Sequence, residues 1–527
     1  MGYYKDLREH IKALEANGKL VRIRRPINKD TELMPLVRWQ FRGLPEEQRK
    51  AFLFENVVGV KGRKFGIPIL VGSHSSSKEI YALGMMCAPD KIMDKWTEAQ
   101  LHPIEPRIVD DGPVHEEVHV GGNLLEHGGL EEFPVPISTP GFDNAPYFTC
   151  ANWVTKDPET GRRNIGNYRA MIKSRTRTGI FCASHIQHLY IHWQKCKKLG
   201  KPLQAAIVMG ATPAIGYASV TKIPYGVDEY AVVGGIAGEP IELVKCKTVD
   251  IEVPATAEIV IEGELPTDAM EREAPFGEFT GYMGEKTLSP YFNVTCITHR
   301  RNPIYSAFLS QFTPSEASVM FCIGHEATVL KFLRHDCGLP VLDVALHQSC
   351  GGWHYCVIKM KLGHPAEAWQ ALHAVAGHSP RRGKITIVVD DDIDARNPDS
   401  VNWALAWRMM PDRDIDIIRG RVAPMDYSAT PPGKPEQFNA TGSSALLINA
   451  TRKWAYPPVS LPKKQFMERA KQIWEQEGLP KLTPQEPWFG YSLGYWTEED
   501  EQEAELALQG EHFQTGEKYA RERNPSK

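Results

Sequence analysis

A short stretch near the middle of the chain, EREAPFGEFTGY (residues 271–282), places Glu271, Glu273 and Glu278 around an Ala-Pro-Phe-Gly link. The proline and glycines mark a turn or loop, and loops on rigid scaffolds often carry binding and catalytic groups. Two carboxylates on either side of such a turn can hold different protonation states when their surroundings differ. One then stays ionised while the other donates a proton, which is general acid–base chemistry. A solvated acidic loop is the alternative interpretation.

Three other segments carry groups that could bind a cation. They are RRNIGNYRAM with Asn164 and Arg169, ASHIQHLYIHW with His185, His188 and His192, and GVDEYAVVGG with Asp228 and Glu229. Amide and carboxylate oxygens bind hard cations, and imidazole binds transition metals. No HExxH motif and no cysteine pair accompanies them, so the residues alone leave a metal site and a structural role both open.

Composition indicates a soluble protein of more than one domain. The chain has 527 residues, of which 42% are hydrophobic and 24% charged, with a net charge of −4. This balance argues against nucleic acid or an anionic membrane as a partner. The charged N-terminus is unlike a signal peptide, and glycine and proline interrupt the longest charge-free run, 202–221. Ten scattered cysteines predict reduced thiols, and we expect a cytoplasmic protein.

The pattern of elements changes along the chain. Between about 151 and 308 it is rich in strands, which predicts a barrel or curved sheet. The predicted elements there are strands 205–209, 258–262 and 291–298, a helix over 184–198, and a glycine-rich strand after Asp228 and Glu229. After about 324, strands and helices alternate, and the acidic tail predicts a solvated helix. The chain lacks GxxxxGK[ST], GxSxG and a clear GxGxxG, which disfavours P-loop enzymes, serine hydrolases and Rossmann dehydrogenases.

Several motifs in order resemble the UbiD family of prenylated-flavin-dependent (de)carboxylases. They are N-IGNY-R, SHIQH, GVDEYAVVGG, ELVKC, VPATAEIVIEGE, E-APFG-E-FTGY, IVVDDDIDARN and ATRKW. The resemblance as a whole runs from about Leu7 to Trp454, most of the chain. The resemblance implies an α+β and α/β multidomain fold with a central split β-barrel. Its expected parts are an N-terminal α/β region (1–132), a prenylated-FMN-binding split barrel (133–323), an α/β oligomerisation domain (324–455) and a helical, charged tail (456–527).

The resemblance also implies roles for individual residues. The catalytic trio falls on Arg169, Glu273 and Glu278, whereas Arg272 is expected at the surface. The divalent-metal ligands fall on Asn164, His185 and Glu229. His185 is preferred because of its HI dipeptide and its spacing to Trp193, and His188 is the alternative. The expected contacts to the flavin come from Asn164, Arg169, Ser184, His185, Ser219 and Glu229, and those to potassium from Glu229 and the backbone of Ala218, Ser219 and Thr221.

The implied activity is that of a carboxy-lyase acting reversibly on an aromatic or α,β-unsaturated acid, as the free acid or a thioester. Loss of CO2 from such a carbon needs an electron sink that side chains cannot supply. In the family the modified flavin bonds covalently to the substrate, and here Glu278 would protonate the vacated carbon. Phe181 and Phe279 are expected in the substrate pocket. The implied cofactors are prenylated FMN, Mn²⁺ or another divalent ion such as Fe²⁺, and K⁺.

The implied partners are a flavin prenyltransferase and further copies of the chain in a homodimer or homohexamer. Two other functions stay open, an FMN-dependent oxidoreductase and a catalytic-like subunit of a multi-subunit carboxylase. One departure concerns the segment INATRKW, in which Asn449 stands where the family often has aspartate. It bears on the substrate and not on the chemistry.

Overall fold

The computed structural model describes residues 2–182, 187–422, 425–431 and 442–522. The first part of the chain mixes helices with short strands. Its elements are α1 (Leu7–Ala16), β1 (Leu20–Ile23), β2 (Ile27–Asn28), α2 (Leu33–Gly43), β3 (Ala51–Phe54), β4 (Val57–Val58), β5 (Lys64–Phe65), β6 (Ile69–Val71), α3 (Lys78–Met85), α4 (Ile92–Leu101), β7 (Arg107–Ile108), β8 (Glu117–Val120) and α5 (Gly122–Glu126).

The middle of the chain is mostly strands, as the sequence predicts. Its elements are β9 (Tyr147–Phe148), β10 (Asn152–Lys156), β11 (Arg163–Asn167), β12 (Ala170–Ser174), β13 (Arg177–Gly179), α6 (His188–Lys198), β14 (Leu203–Met209), α7 (Pro213–Val220), α8 (Glu229–Ala237), β15 (Glu242–Lys245), β16 (Glu252–Pro254), β17 (Ile259–Leu265), β18 (Glu271–Glu273), β19 (Thr287–Ser289), β20 (Tyr291–His299) and β21 (Tyr305–Ala307).

The last part alternates strands with helices and ends in helices alone. Its elements are α9 (Glu316–Lys331), β22 (Val341–Leu346), β23 (Tyr355–Met360), α10 (Ala366–His378), β24 (Ile385–Asp390), α11 (Pro398–Arg408), β25 (Ile415–Arg421), β26 (Ser443–Ala450), α12 (Lys464–Gln476), α13 (Glu498–Leu508) and α14 (His512–Arg521). No residue of α12, α13 or α14 is buried, in keeping with their charged sequence.

The central sheet carries the site. Its strands run in the order β11-β10-β14-β17-β20-β13-β12-β9, and β8 adds to β20 at one side. Neighbouring strands are antiparallel, and the sheet curls into a half-barrel. Both faces of β14 are buried, because Ala206 and Val208 face one apolar core while Ala205 and Ile207 face another. Successive side chains of a strand point to opposite faces of the sheet, and here both faces are covered. The sequence of this strand is therefore a continuous apolar run.

The glycine-rich segment after Asp228 forms a helix, so the predicted strand is wrong. The Asp228 side chain accepts a hydrogen bond from the backbone N–H of Tyr230 and caps the first turn of α8. The apolar residues are buried all around the helix, so the amphipathic period that would have shown a helix is missing. Gly234 leaves no room for a side chain against the backbone of Ile104, which explains a glycine inside this helix.

The sheets at the two ends of the chain attach to this centre differently. The N-terminal sheet has the order β1-β3-β6-β21, so a strand from the end of the central region completes it. The C-terminal sheet, β22-β23-β24-β26-β25, is mixed, with parallel pairs at its middle. Helix α9 is buried along nearly its whole length between these parts. Among the described residues, no helix combines the length and apolar character needed to span a bilayer.

Candidate active site

Arg169 and Glu273 form a buried ion pair with two contacts. The Arg169 Nε and Nη2 groups donate to the two carboxylate oxygens of Glu273 at 3.1 and 2.7 Å. Glu273 is fully buried, and Arg169 is 8% exposed. A guanidinium fork matches a carboxylate in this two-point geometry, which fixes both side chains and compensates both charges.

Glu278 completes the cluster through the remaining nitrogen of the same arginine. Its carboxylate forms an ion pair with Arg169 Nη1, so one guanidinium joins two carboxylates. The loop that presents Glu278 is closed by a hydrogen bond from its own backbone N–H to the Tyr282 carbonyl, 2.9 Å. At Gly277 a Cβ would lie 2.5 Å from Gln311 Cγ, so a larger residue would push the loop away. The structure therefore brings together the three residues expected to be catalytic.

Aromatic rings hold the guanidinium in place. The Arg169 guanidinium carbon lies 4.0 Å from the centre of the Phe181 ring and 5.1 Å from that of Phe276. Cations over aromatic faces are attracted by the ring quadrupole, and the effect grows when water is excluded. The position of Arg169 is therefore set by its rings as well as by its carboxylate partners.

A cavity opens beside this cluster and is lined by both polar and aromatic groups. Arg169, Glu278, Phe181 and Phe279 all contribute to its wall. The further aromatic residues of the wall are Tyr168, Phe276, Phe308, Phe321 and Trp353. A mostly apolar wall with a few convergent charged groups is typical of a small-molecule site.

The predicted metal residues lie along another part of the same wall. Asn164, on β11, and Glu229, at the start of α8, line the cavity together with His188, at the start of α6. The His188 Nδ1 atom lies 2.8 Å from Asn164 Oδ1, and Glu229 accepts a hydrogen bond from the backbone N–H of Ile165 at 3.0 Å. These three side chains also line a smaller cavity next to the first. His185 and Ser184 fall within 183–186, outside the described residues, so their predicted roles stay predictions.

The electrostatics of this wall suit a cation. Burial raises the pKa of Glu229 to about 8, and burial, with smaller effects of Lys222 and His192, lowers the pKa of His188 to about 3. A neutral imidazole is the form that binds metals, and a nearby cation would favour the carboxylate form of Glu229. Asn164 Nδ2 is buried and has no hydrogen-bond partner among the described residues.

The residues expected near potassium lie at the C-terminal end of α7. Ser219 and Thr221 line the cavity, whereas Ala218 is buried behind them. The carbonyl of Ala218 accepts from the Thr221 N–H at 3.2 Å, and that of Thr221 accepts from the Ile223 N–H at 2.9 Å. Each carbonyl keeps a second lone pair, and the C-terminal end of a helix favours a cation.

Glu271 and Arg272, just before Glu273 in the sequence, lie outside the catalytic cluster. Glu271 binds Lys173 and Arg177, each at 2.8 Å, and does not line the cavity. Arg272 is exposed, as expected. Both residues therefore serve as matched controls for the catalytic positions.

Sequence reasoning missed the cations that complete the cavity. Lys222 and Arg381 both line it, and burial lowers their pKa values to about 8 and about 10. Arg381 lies more than a hundred residues downstream of Glu278, in a segment, SPRRGK, without a recognisable motif. Asn449, in contrast, does not line this cavity, since its side chain accepts from Thr451 Oγ1 at 2.6 Å within the C-terminal sheet.

Comparison with known proteins accounts for this arrangement. Three family models match, those of the N-terminal, Rift-related and C-terminal domains of 3-octaprenyl-4-hydroxybenzoate carboxy-lyase (UbiD), over residues 11–100, 107–311 and 318–450. A protein of Aquifex aeolicus is 30% identical over 510 residues, which cover 91% of this chain and 100% of that protein. The chain belongs to the UbiD family.

Two solved structures show the same architecture. An evolved dimeric form of the enzyme HmfF from Pelotomaculum thermopropionicum, in complex with prFMN, is 30% identical with a TM-score of 0.76 and covers 89% of this chain and 100% of its own. Vanillic acid decarboxylase of Sedimentibacter hydroxybenzoicus, in its closed form, is 25% identical with a TM-score of 0.78. The match covers 90% of this chain and 99% of that protein's chain. The half-barrel and its flanking domains are thus those of UbiD-class enzymes.

Proposed function

We propose that this UbiD-family chain is a carboxy-lyase that removes CO2 from an aromatic or α,β-unsaturated carboxylic acid with the help of prenylated FMN. The observation that carries the proposal is the cluster in which Arg169 joins Glu273 and Glu278 at the wall of an aromatic-lined cavity. The family membership, a UbiD-class enzyme in complex with prFMN and a vanillic acid decarboxylase of similar fold support it.

The residues present suit the flavin and its ions. Asn164, His188 and Glu229 would hold a divalent ion such as Mn²⁺ or Fe²⁺ at the flavin phosphate, and the carbonyls at the end of α7 with Glu229 would hold K⁺. His188 Nδ1 lies 2.8 Å from Asn164 Oδ1, and both side chains line the same cavity wall as Glu229. This contact supports His188 as the imidazole ligand, the alternative to His185. The buried cations Lys222 and Arg381 complement the phosphate charge.

When bound, prenylated FMN supplies the electron sink that cleavage of an sp² carbon–carboxylate bond requires. The side chains have the remaining tasks. Arg169 binds carboxylates, and a substrate carboxylate can replace Glu278 at Nη1 because only that nitrogen is outside the pair with Glu273. The substrate carboxylate then lies beside Glu278, and repulsion between the two negative charges favours the protonated form of Glu278.

Glu278 then donates its proton to the carbon that CO2 leaves. The balance is one carboxylate and one proton giving CO2 and the C–H product, and Glu278 regains its proton from water. Glu273 keeps the guanidinium in place throughout. The aromatic wall, including Phe181, Phe279 and Trp353, suits a flat substrate and excludes water from the reacting carbon.

Two other functions fit the site less well. An FMN oxidoreductase transfers hydride and needs no acid paired with an arginine at the flavin. A non-catalytic subunit would not require the catalytic residues, whereas here Arg169 contacts both Glu273 and Glu278. A cytoplasmic location and a homodimer or homohexamer remain our predictions, and light scattering of the purified protein would measure the assembly.

The test is a panel of carboxylates assayed for CO2 release. The enzyme is produced with and without a flavin prenyltransferase, and the panel contains benzoate-type, heteroaromatic and cinnamate-type acids, with an aryl thioester that also carries a free carboxylate as a further member. We expect release from at least one acid class with the co-produced enzyme and little without it. Equal release from both preparations would contradict the use of prenylated FMN.

A further inference from the structure

A second cluster of metal-binding side chains lies away from the cavity. His119 on β8, Glu132 at the end of the short turn Gly129–Glu132, and His299 at the end of β20 place one ligand atom each within 4.8 Å of the others. None of them lines the active-site cavity. We call them the His119–Glu132–His299 cluster.

The sheet register explains how the two imidazoles meet. Strands β8 and β20 are antiparallel, with His119 opposite Ile297 and Glu117 opposite His299. His119 and His299 are therefore diagonal neighbours on one face, a spacing within reach of ring side chains. Glu132 approaches that face from the turn and lies between the two rings.

The distances within the cluster match a tetrahedral metal site. His119 Nδ1 is 3.2 Å from Glu132 Oε2, and His299 Nε2 is 3.3 Å from Glu132 Oε1. Metal bonds of about 2.0–2.1 Å put tetrahedral ligands about 3.3–3.4 Å apart. The two ring nitrogens lie within 4.8 Å of each other.

A hydrogen bond fixes which nitrogen of His299 faces the cluster. The Nδ1 atom lies 2.8 Å from the carbonyl oxygen of Arg300, which can only accept, so Nδ1 carries the proton. In its neutral form the ring therefore presents the lone pair of Nε2 to the cluster. An imidazole whose other nitrogen donates to a carbonyl is the usual arrangement of a metal-binding histidine.

The polar atoms at the centre have no other partner. His119 Nδ1, Glu132 Oε2 and His299 Nε2 are buried and make no hydrogen bond within the described part of the chain. His119 is 3% and His299 5% exposed, whereas the Glu132 side chain is 19% exposed and leaves a path from solvent. Their contacts with one another are the two histidine–carboxylate contacts of 3.2 and 3.3 Å, and an ion between them would be bound by all three side chains at once.

We infer that the His119–Glu132–His299 cluster binds a Zn²⁺-type transition-metal ion, with water as its fourth ligand, and clamps the segment around residues 117–132 to the end of β20. Two imidazoles and one carboxylate form a set that zinc accepts. Cross-linking a strand, a turn and the end of a second strand would stabilise this edge of the half-barrel without entering the cavity.

The experiment measures bound zinc in the full chain after chelator treatment and re-equilibration with buffered Zn²⁺. Because the active-site ligands also accept zinc, the comparison uses the Glu229→Ala protein and the same protein with His299→Gln added. The inference expects one equivalent of zinc fewer in the double variant. It also expects added zinc to raise the Tm of the Glu229→Ala protein and to leave that of the double variant unchanged.

Matched variants keep the result interpretable. His119→Gln is the second ligand variant should His299→Gln fail to fold, and it should lose the same equivalent. His127→Gln is the control, because that ring stacks on His119 at 3.8 Å but contributes no ligand atom to the cluster. Equal zinc in the Glu229→Ala protein and both ligand variants would overturn the inference. The cluster would then be an ion pair between a protonated histidine and Glu132. Equal loss in His127→Gln would also overturn the inference, since packing alone would then account for the effect.

Discussion

Arg169 and Glu273 are joined by two parallel hydrogen bonds, Nε to Oε1 at 3.1 Å and Nη2 to Oε2 at 2.7 Å, and both residues are buried. This leaves Nη1 for Glu278, which lines the cavity whereas Glu273 lies behind it. Two carboxylates bound to one arginine are thus in different surroundings. The difference supports the proposed roles, positioning for Glu273 and proton donation for Glu278.

The first prediction concerns Glu278→Gln. The amide keeps the size of the acid but has no proton of suitable acidity, so turnover should fall on the order of 10²-fold or more. The variant should still bind flavin. It should also fail to exchange the product proton with deuterated water, because that exchange is the same step in reverse. NMR of the product measures the exchange.

Glu271→Gln is the control for this variant, because Glu271 binds Lys173 and Arg177 outside the cavity. Its turnover and exchange should be those of the wild type. Deuterium exchange at the wild-type rate in Glu278→Gln would assign the acid to another group.

The second prediction concerns Arg169→Lys. Lysine keeps the positive charge but cannot make two contacts to Glu273 and one to Glu278 together. We expect kcat/KM to fall on the order of 10²-fold, because carboxylate placement is lost, while the protein stays folded. Steady-state kinetics and circular dichroism measure the two effects. Arg272→Lys, at the exposed neighbouring position, should leave both unchanged, and a wild-type rate in Arg169→Lys would exclude the fork from the mechanism.

The third prediction concerns the divalent ion. Glu229→Ala should lower both bound manganese and bound flavin, because the ion links this wall to the flavin phosphate. His188→Ala should also lower bound manganese and bound flavin, because His188, in contact with Asn164, is the proposed imidazole ligand. His185→Ala is the paired variant. If His185→Ala loses the metal and His188→Ala keeps it, His185 is the imidazole ligand. Metal analysis and flavin absorption provide the readouts.

The fourth prediction concerns pH. Burial raises the pKa of Glu229 to about 8, so in ion-free protein this carboxyl is mostly protonated at pH 7 and mostly ionised above pH 9. The ion needs the carboxylate, and Mn²⁺ binding should therefore release nearly one proton at pH 7 and almost none at pH 9.5. Calorimetry in buffers of different ionisation enthalpy measures the release. Equal release at both pH values would contradict the assignment of Glu229 as a ligand.

The sequence alone determined the family and much of the local structure. The apolar strands of the half-barrel follow from residues a few positions apart, and the EAPFGEFTGY motif singles out Glu273 and Glu278 as candidates without a structure. Helix α8 was predicted as a strand because burial on all sides removes the amphipathic period on which such predictions depend.

Only the tertiary structure decided which distant groups share a site. Arg169 meets Glu273 across more than a hundred residues, Arg381 reaches the cavity from the C-terminal region, and His119 meets His299 through the pairing of β8 with β20. Local patterns carry no information on such contacts unless a known motif supplies it, because they depend on how the sheet curls and which strands pair. The order of residues thus specified the chemistry that is available, and the packing of the half-barrel specified where it is assembled.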